Sequence, residues 1–444
     1  MFKKLFFLVA FIIGQQLVAQ NPIIRNQYSA DPTARVFDGK IYLYPSHDIN
    51  APSDFSKGNS WFCMHDYHVF SSENLVDWFD HGVLFSQDDV EWVLPRSYSM
   101  WAPDCVEKGG KYYFFFPAKM KGTKESDERF SVGVAIADTP SGPFVPMKTN
   151  IEGIQGIDPN VFLDKDGTAY IYFSIKGEIW VAKLADDLLS LSSVPRQLSE
   201  LPPKYKEGPF LFERNNVYYL TYPLVDGDRE VIAYSTANNP LGPFKYRGVI
   251  MGKDYSAFCW TNHHSIVEYE GQWYIFYHHN DYDKTNGRHR STKADKLYFN
   301  DNGTIREVVP TRRGIGIIPC DSAIQIDRYS YCYGDLQEDF INKNNHFEGW
   351  YVKMTAGTYV KINDVAFLQK RKYRFDIRLK SNVKSKIYIR VSNNEKTWST
   401  SLEISPSEDW SVISKVKIGS PIGKCDITIG VIDGDVSMDW ISFR

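Results

Sequence analysis

Beyond its first residues, no stretch of the chain comes near the roughly 18 consecutive apolar residues that a membrane span needs, and none shows a helical period of useful length. These absences exclude an α-helical membrane protein and a helical bundle. A long basic run is also missing: 51 Lys and Arg against 54 Asp and Glu leave a formal net charge of −3. Without clustered cations there is little to attract nucleic-acid phosphates. The six cysteines, Cys63, Cys105, Cys259, Cys320, Cys332 and Cys425, include no C-x-x-C spacing. Disulfides are permitted, but spacing assigns no pairs.

The one concentrated apolar run is N-terminal, where Lys3 and Lys4 precede residues 5–13 and small residues follow at Val18 and Ala19. It is too short to span a bilayer and reads as a secretory signal peptide over residues 1–20, with no cysteine there to accept a lipid. The expectation is a soluble, monomeric protein in a periplasmic or extracellular space, without a membrane or nucleic-acid partner.

What the chain does have is apolar and aromatic residues, 43% and 15% of the total. That is ample for large cores, and flat rings also pack on the apolar faces of sugars. Length alone predicts two domains. Residues 157–174, I-D-P-N-V-F-L-D-K-D-G-T-A-Y-I-Y-F-S, read as a hairpin: an Asp-Pro pair where the chain extends or turns, an apolar strand, a turn, and a second strand rich in Tyr, Ile and Phe. Relatives of this unit lie at residues 30–46, 101–117, 206–223 and 262–279.

The five hairpins align on the second-strand tyrosines Tyr42, Tyr113, Tyr170, Tyr219 and Tyr274. Counting back 11 or 12 residues reaches Asp31, Ala102, Asp158, Glu207 and His263. Such a repeat predicts a five-bladed β-propeller over residues 21–328, with equivalent positions converging at one mouth of its channel. Residues 48–60 read as an exposed loop, and residues 295–310 as two short strands around a turn. From residue 329 to 444 the repeat gives way to alternating short strands, predicting a β-sandwich of jelly-roll type. The fold class is therefore all-β.

Three carboxylates at one mouth suit glycosidic hydrolysis, which needs one group to protonate the leaving oxygen and another to activate water or attack carbon. A third can raise the acid's pKa by like-charge repulsion. Singly, an Asp-Pro pair is most often a turn; coincidence in register is what favours a functional cluster of Asp31, Asp158 and Glu207. His263 fills the fifth position with His264 beside it, open to a metal, a substrate or a packing role. Trp101 reads equally as core or sugar platform. Asp104 lies two residues out of register. Arg288 and Arg290 read as solvated loop charges or as sugar-hydroxyl contacts.

Taken together, Asp31-Pro32, Trp101-Ala102-Pro103-Asp104, Asp158-Pro159, Glu207-Gly208-Pro209 and Asn262-His263-His264 resemble glycoside hydrolase family 43. The resemblance implies an inverting mechanism with Asp31 as base, Glu207 as acid and Asp158 tuning and orienting that acid. It also implies a largely water-coordinated calcium ion touched by His263, with Arg290 on the bound sugar. Residues 335–444 resemble carbohydrate-binding module family 6, chiefly at residues 357–362 and 439–443, although Ser437 replaces the usual sugar-contacting asparagine; Trp410 is a candidate platform. The implied substrate is a plant cell-wall polysaccharide or oligosaccharide, with α-L-arabinofuranosidase action on arabinoxylan or arabinan first. β-Xylosidase and galactan-directed action are the alternatives within the family, and a propeller that only binds carbohydrate is the alternative outside it.

Overall fold

The computed structural model describes residues 21–55, 57–122, 129–252 and 261–444. The expected signal peptide and Cys259 lie outside them. Among the described residues, regular structure is β-strand apart from short 3-10 turns, and no helix is long and apolar enough to cross a membrane.

Five antiparallel meander sheets follow one another along the chain, four of them four-stranded and the last three-stranded. Their inner strands are Ala30–Phe37, Asp104–Lys108, Ile157–Leu163, Phe210–Arg214 and His264–Tyr269. Alternation gives each blade two apolar faces, and each face buries against the next blade. Tyr44 and Tyr67 of blade one pack with Phe114 and Phe116 of blade two. Val132 and Phe115 meet Ile171 and Phe173; Tyr172 and Val181 meet Leu211 and Leu220; Phe212 and Ile232 meet Ile266 and Ile275. The fifth cluster joins Phe276 and Tyr274 of the last blade to Leu43 and Phe70 of the first. Five interfaces that return to their starting blade define a closed five-bladed propeller.

The ring is fastened by the N-terminal segment. The Ile23 and Ser29 amides donate to the Thr292 and Arg290 carbonyls beside the strand Ser291–Leu297, at 2.9 Å each. The predicted pair of strands over residues 295–310 reduces to a single bridge, Phe299 to Ile305, because this segment leaves its own blade to hydrogen-bond blade four, Ile305 N–H to Tyr234 Oη and Val308 N–H to Ile250 O.

Two six-stranded sheets form the C-terminal sandwich around one core that includes Val352, Ile377, Ile389, Ile429 and Phe443. Its edge strands begin earlier than residue 329: Ile318–Pro319 pairs with Tyr359–Phe367, and Ile324–Gln325 with Asp435–Phe443. The sequence boundary fell late because two-residue strands carry no periodicity to read. The domains are joined by packing as well as by chain. Tyr282 of the propeller stacks on Trp350 of the sandwich with centroids 5.0 Å apart, and Arg313 Nε donates to the Asn363 carbonyl at 2.9 Å.

Candidate active site

The five aligned tyrosines stand opposite Arg35, Val106, Phe162, Phe212 and Val267 of the inner strands, so the blades share one register. All five residues found by counting back, Asp31, Ala102, Asp158, Glu207 and His263, line one pocket. Phe62, Met64, Trp101 and Arg290 also line it, with Ile157, Thr261 and Asn262.

Asp31 and Asp158 both take left-handed backbone, with φ of 46° and 55°. Each lies where its hairpin register slips, between Ala30 and Thr33 in blade one and opposite the slip between Tyr172 and Ser174 in blade three. Aspartate tolerates this region better than most residues, and a bulge re-aims the side chain out of the sheet. The Asp-Pro pairs thus form bulges at the start of the inner strands, and both aspartates line the pocket.

Around Asp31 the structure supplies partners that sequence reading missed. Ser46 Oγ donates to its Oδ2 at 2.5 Å and Arg290 Nη1 to its Oδ1 at 2.8 Å. Arg290 is itself clamped by Asp48: Nε donates to Oδ2 at 2.9 Å and Nη2 to Oδ1 at 2.9 Å. The Asp31 N–H donates to His278 Nδ1 at 2.9 Å, which leaves the ring proton on Nε2, directed at the Thr261 carbonyl at 2.9 Å. His278 is therefore neutral, and burial holds its pKa well below the ordinary value. Burial also pushes the Asp31 carboxyl up, but the Arg290 guanidinium above all, with the Ser46 hydroxyl, outweighs it and holds Asp31 below the usual carboxylate range. Arg290, expected as a sugar contact, lines the pocket with its guanidinium bonded to these two carboxylates.

Glu207 has the opposite surroundings. Burial raises its carboxyl, and the negative charges of Glu230 and Asp31 add to this against the opposing Lys206. Asp158 is raised further, first by burial and then by Glu207 and Asp31. Asp158 Oδ2 accepts from the Gly208 N–H at 2.9 Å, which ties the aspartate to the turn carrying Glu207. Gly208 has φ of +72°, and a Cβ there would stand 3.2 Å from His263 Nδ1. Glycine is needed for both the turn and the close approach.

Of the paired histidines, only His263 faces the pocket. His264 is fully buried; its Nε2 meets Thr221 Oγ1 at 2.6 Å, and burial pushes its pKa down to about 3. Burial likewise lowers the His263 pKa, so a neutral imidazole with a free lone pair faces a pocket holding more carboxyls than cations. One nitrogen donor suits a cation that keeps most of its water, not an ion caged by protein oxygens.

Asp104 is no part of the pocket. Arg35 Nη2 and Nε reach its carboxylate at 2.6 and 3.0 Å, and the amides of Cys105 and Val161 and Asn160 Nδ2 donate to it at 2.7, 2.7 and 3.0 Å. It pins blades one, two and three together. Residues 48–60 also depart from the expected exposed loop, since Asp48 ends a strand fully buried and Phe55 packs against Cys63 and Tyr98. Trp101 is half-buried against Phe130, with ring centroids 4.5 Å apart, so core and pocket wall are both correct descriptions.

This fold and this pocket define a propeller glycosidase, and comparison with known proteins agrees. The profile of Glycosyl hydrolases family 43 matches residues 19–305, and the chain belongs to that family. Xylosidase/arabinosidase 43A of Humicola insolens is 35% identical over 335 residues, covering 64% of this chain and 98% of that protein. A solved β-xylosidase/α-arabinofuranosidase from a compost microbial metagenome, in complex with xylotriose and in a calcium-free form, is 36% identical with a TM-score of 0.57, covering 65% of this chain and 97% of its own. An arabinoxylan arabinofuranohydrolase structure from Bacillus subtilis, 22% identical with a TM-score of 0.58, covers 97% of this chain and 99% of its own, a likeness of fold across both domains. The chain is a glycoside hydrolase.

Proposed function

We propose that the chain is an exported, inverting exo-glycosidase that removes terminal α-L-arabinofuranosyl or β-xylosyl residues from arabinoxylan-type substrates. The observation that carries this is the divergence of two carboxyls in one pocket, Asp31 held down by Arg290 and Glu207 held up by burial and its acidic neighbours. Groups pushed apart in this way divide into base and acid at one pH. Asp31, ionised, takes a proton from the attacking water as it adds to the anomeric carbon. Glu207, protonated, delivers its proton to the departing glycosidic oxygen. Asp158 orients the Glu207 turn through Gly208. Phe62 and Trp101 offer ring faces for the sugar.

His263 is the residue that would hold a calcium ion, mainly through its water shell, and such an ion supplies positive charge beside the carboxyls. Arabinofuranosidase and xylosidase action are supported equally, since the relatives' names carry both. Aryl α-L-arabinofuranosides and β-xylosides, followed by sugar release from arabinoxylan and arabinan, separate the two. Proton NMR of the first-formed sugar tests inversion: release of the substrate's own anomer would recast Asp31 as a nucleophile.

A further inference from the structure

Outside the pocket, the described residues hold one group of three His, Cys, Asp or Glu side chains spaced to share an ion: His47, Asp66 and His68, whose donor atoms all lie within 4.8 Å of one another. Its geometry points to a second metal site, one for a zinc-class divalent cation on blade one. His47 comes from the strand Lys40–Asp48 and the other two from Met64–Ser72. The register between these strands slips across Ser46 and Asp48, which turns His47 toward Asp66.

His47 Nδ1 lies 2.7 Å and His68 Nε2 3.7 Å from the same oxygen, Asp66 Oδ1. The second distance is too long for a hydrogen bond. On its far side, His68 Nδ1 faces Asp80 Oδ1 at 3.4 Å, and Asp80 is fixed by the Gly82 N–H at 2.8 Å and Asn26 Nδ2 at 3.0 Å. A neutral His68 that gives its one proton to Asp80 aims an Nε2 lone pair at the Asp66 carboxylate. Two electron-rich atoms so placed repel unless a cation stands between them. An outer carboxylate that sets the tautomer of a histidine ligand is the usual second layer of such sites.

Two imidazoles and one carboxylate match the ligand preference of zinc and its neighbours and are a poor match to calcium. The three side chains are only 12 to 19% exposed, which leaves room for water to complete the coordination. An ion here would brace the strand end whose Ser46 and Asp48 hold Asp31 and Arg290.

The test is calorimetric titration of zinc chloride into the chelator-stripped, full-length protein, with cobalt(II) absorption as a direct report of ligation. The expected result is one saturable site at micromolar zinc or tighter, unaffected by His263→Ala and not displaced by millimolar calcium. His47→Ala and His68→Ala should each weaken it at least tenfold, with far-UV circular dichroism confirming folding. Asp80→Asn keeps every ligand and should still cost about 10-fold or more in affinity. The competing arrangement is a doubly protonated His68 shared by Asp66 and Asp80. Absence of saturable zinc binding, or binding that survives the loss of both histidines, establishes that arrangement and overturns the metal site.

Discussion

Asp31 and Glu207 are carboxyl groups in one pocket, and their neighbours alone give them different work. Removing the acid should be forgiving where the leaving group needs no proton: Glu207→Ala should lose about 10²–10⁴-fold on natural linkages and far less on aryl glycosides with good anionic leaving groups. Asp31→Ala should fall equally on both, and steady-state kinetics on the two substrate types checks this. The pH profile tests the causes. Activity needs Asp31 ionised, and Arg290 is the main group holding its pKa down, so Arg290→Gln should raise that pKa and move the acidic limb to higher pH. Stability gives a further sign. Asp158 is raised above its unfolded value, so it costs the native state stability as pH climbs through that interval and beyond. Asp158→Asn should therefore melt higher than the parent at neutral pH and converge with it in acid, as scanning calorimetry would show.

At the scale of the hairpin, register was the legible quantity. Counting back from Tyr42, Tyr113, Tyr170, Tyr219 and Tyr274 reached five residues that do share one pocket, because a blade repeats its strand lengths more faithfully than its side chains. Illegible were the partners that come from elsewhere in the fold. Ser46 and Asp48 end a second strand; Ser46 closed the expected hairpin without a role and Asp48 was passed over as the start of a loop, although alternate polar residues there were a usable signal. His278 looked like one more strand residue. Its role follows only from the bulge that turns the Asp31 amide toward it. Asp104 shows the reverse case, a motif aspartate whose work is structural. Asp104→Ala would leave Arg35 and three donors without their acceptor, a loss of about 3–5 kcal/mol for breaking a buried pair, measurable by urea unfolding. Gly208→Ala would meet the left-handed backbone penalty of about 1–2 kcal/mol and crowd His263. It should lower turnover more than it lowers stability.

Across the whole molecule, the two-domain division was readable from the loss of the repeat, but the dependence of one domain on the other was not. Arg288 and Arg290 read in sequence as solvated loop charges or sugar contacts, yet the segment 280–290 carries Arg290 to the pocket and rests on the sandwich. Tyr282 stacks on Trp350, its carbonyl contacts His346 Nδ1 at 2.8 Å, and the Arg328 guanidinium lies 4.6 Å from the Trp350 ring on the same platform. Nearer the pocket, His289 stacks on Tyr28 with centroids 4.5 Å apart and pairs with Asp283 at 2.8 Å. The loop is thus held between the N-terminal segment and the second domain, and its last residue sets the charge state of Asp31. Trp350→Ala removes the platform. Truncating a fully buried tryptophan costs about 3–5 kcal/mol, so the melting temperature should drop. The sharper expectation is kinetic: if the platform positions the loop, Arg290 loosens its hold on Asp31, and the acidic limb of the pH profile should move upward as it does in Arg290→Gln, by a smaller amount. A Trp350→Ala protein that melts lower but keeps the parent's acidic limb would show that the sandwich stabilises the propeller without reaching its active site.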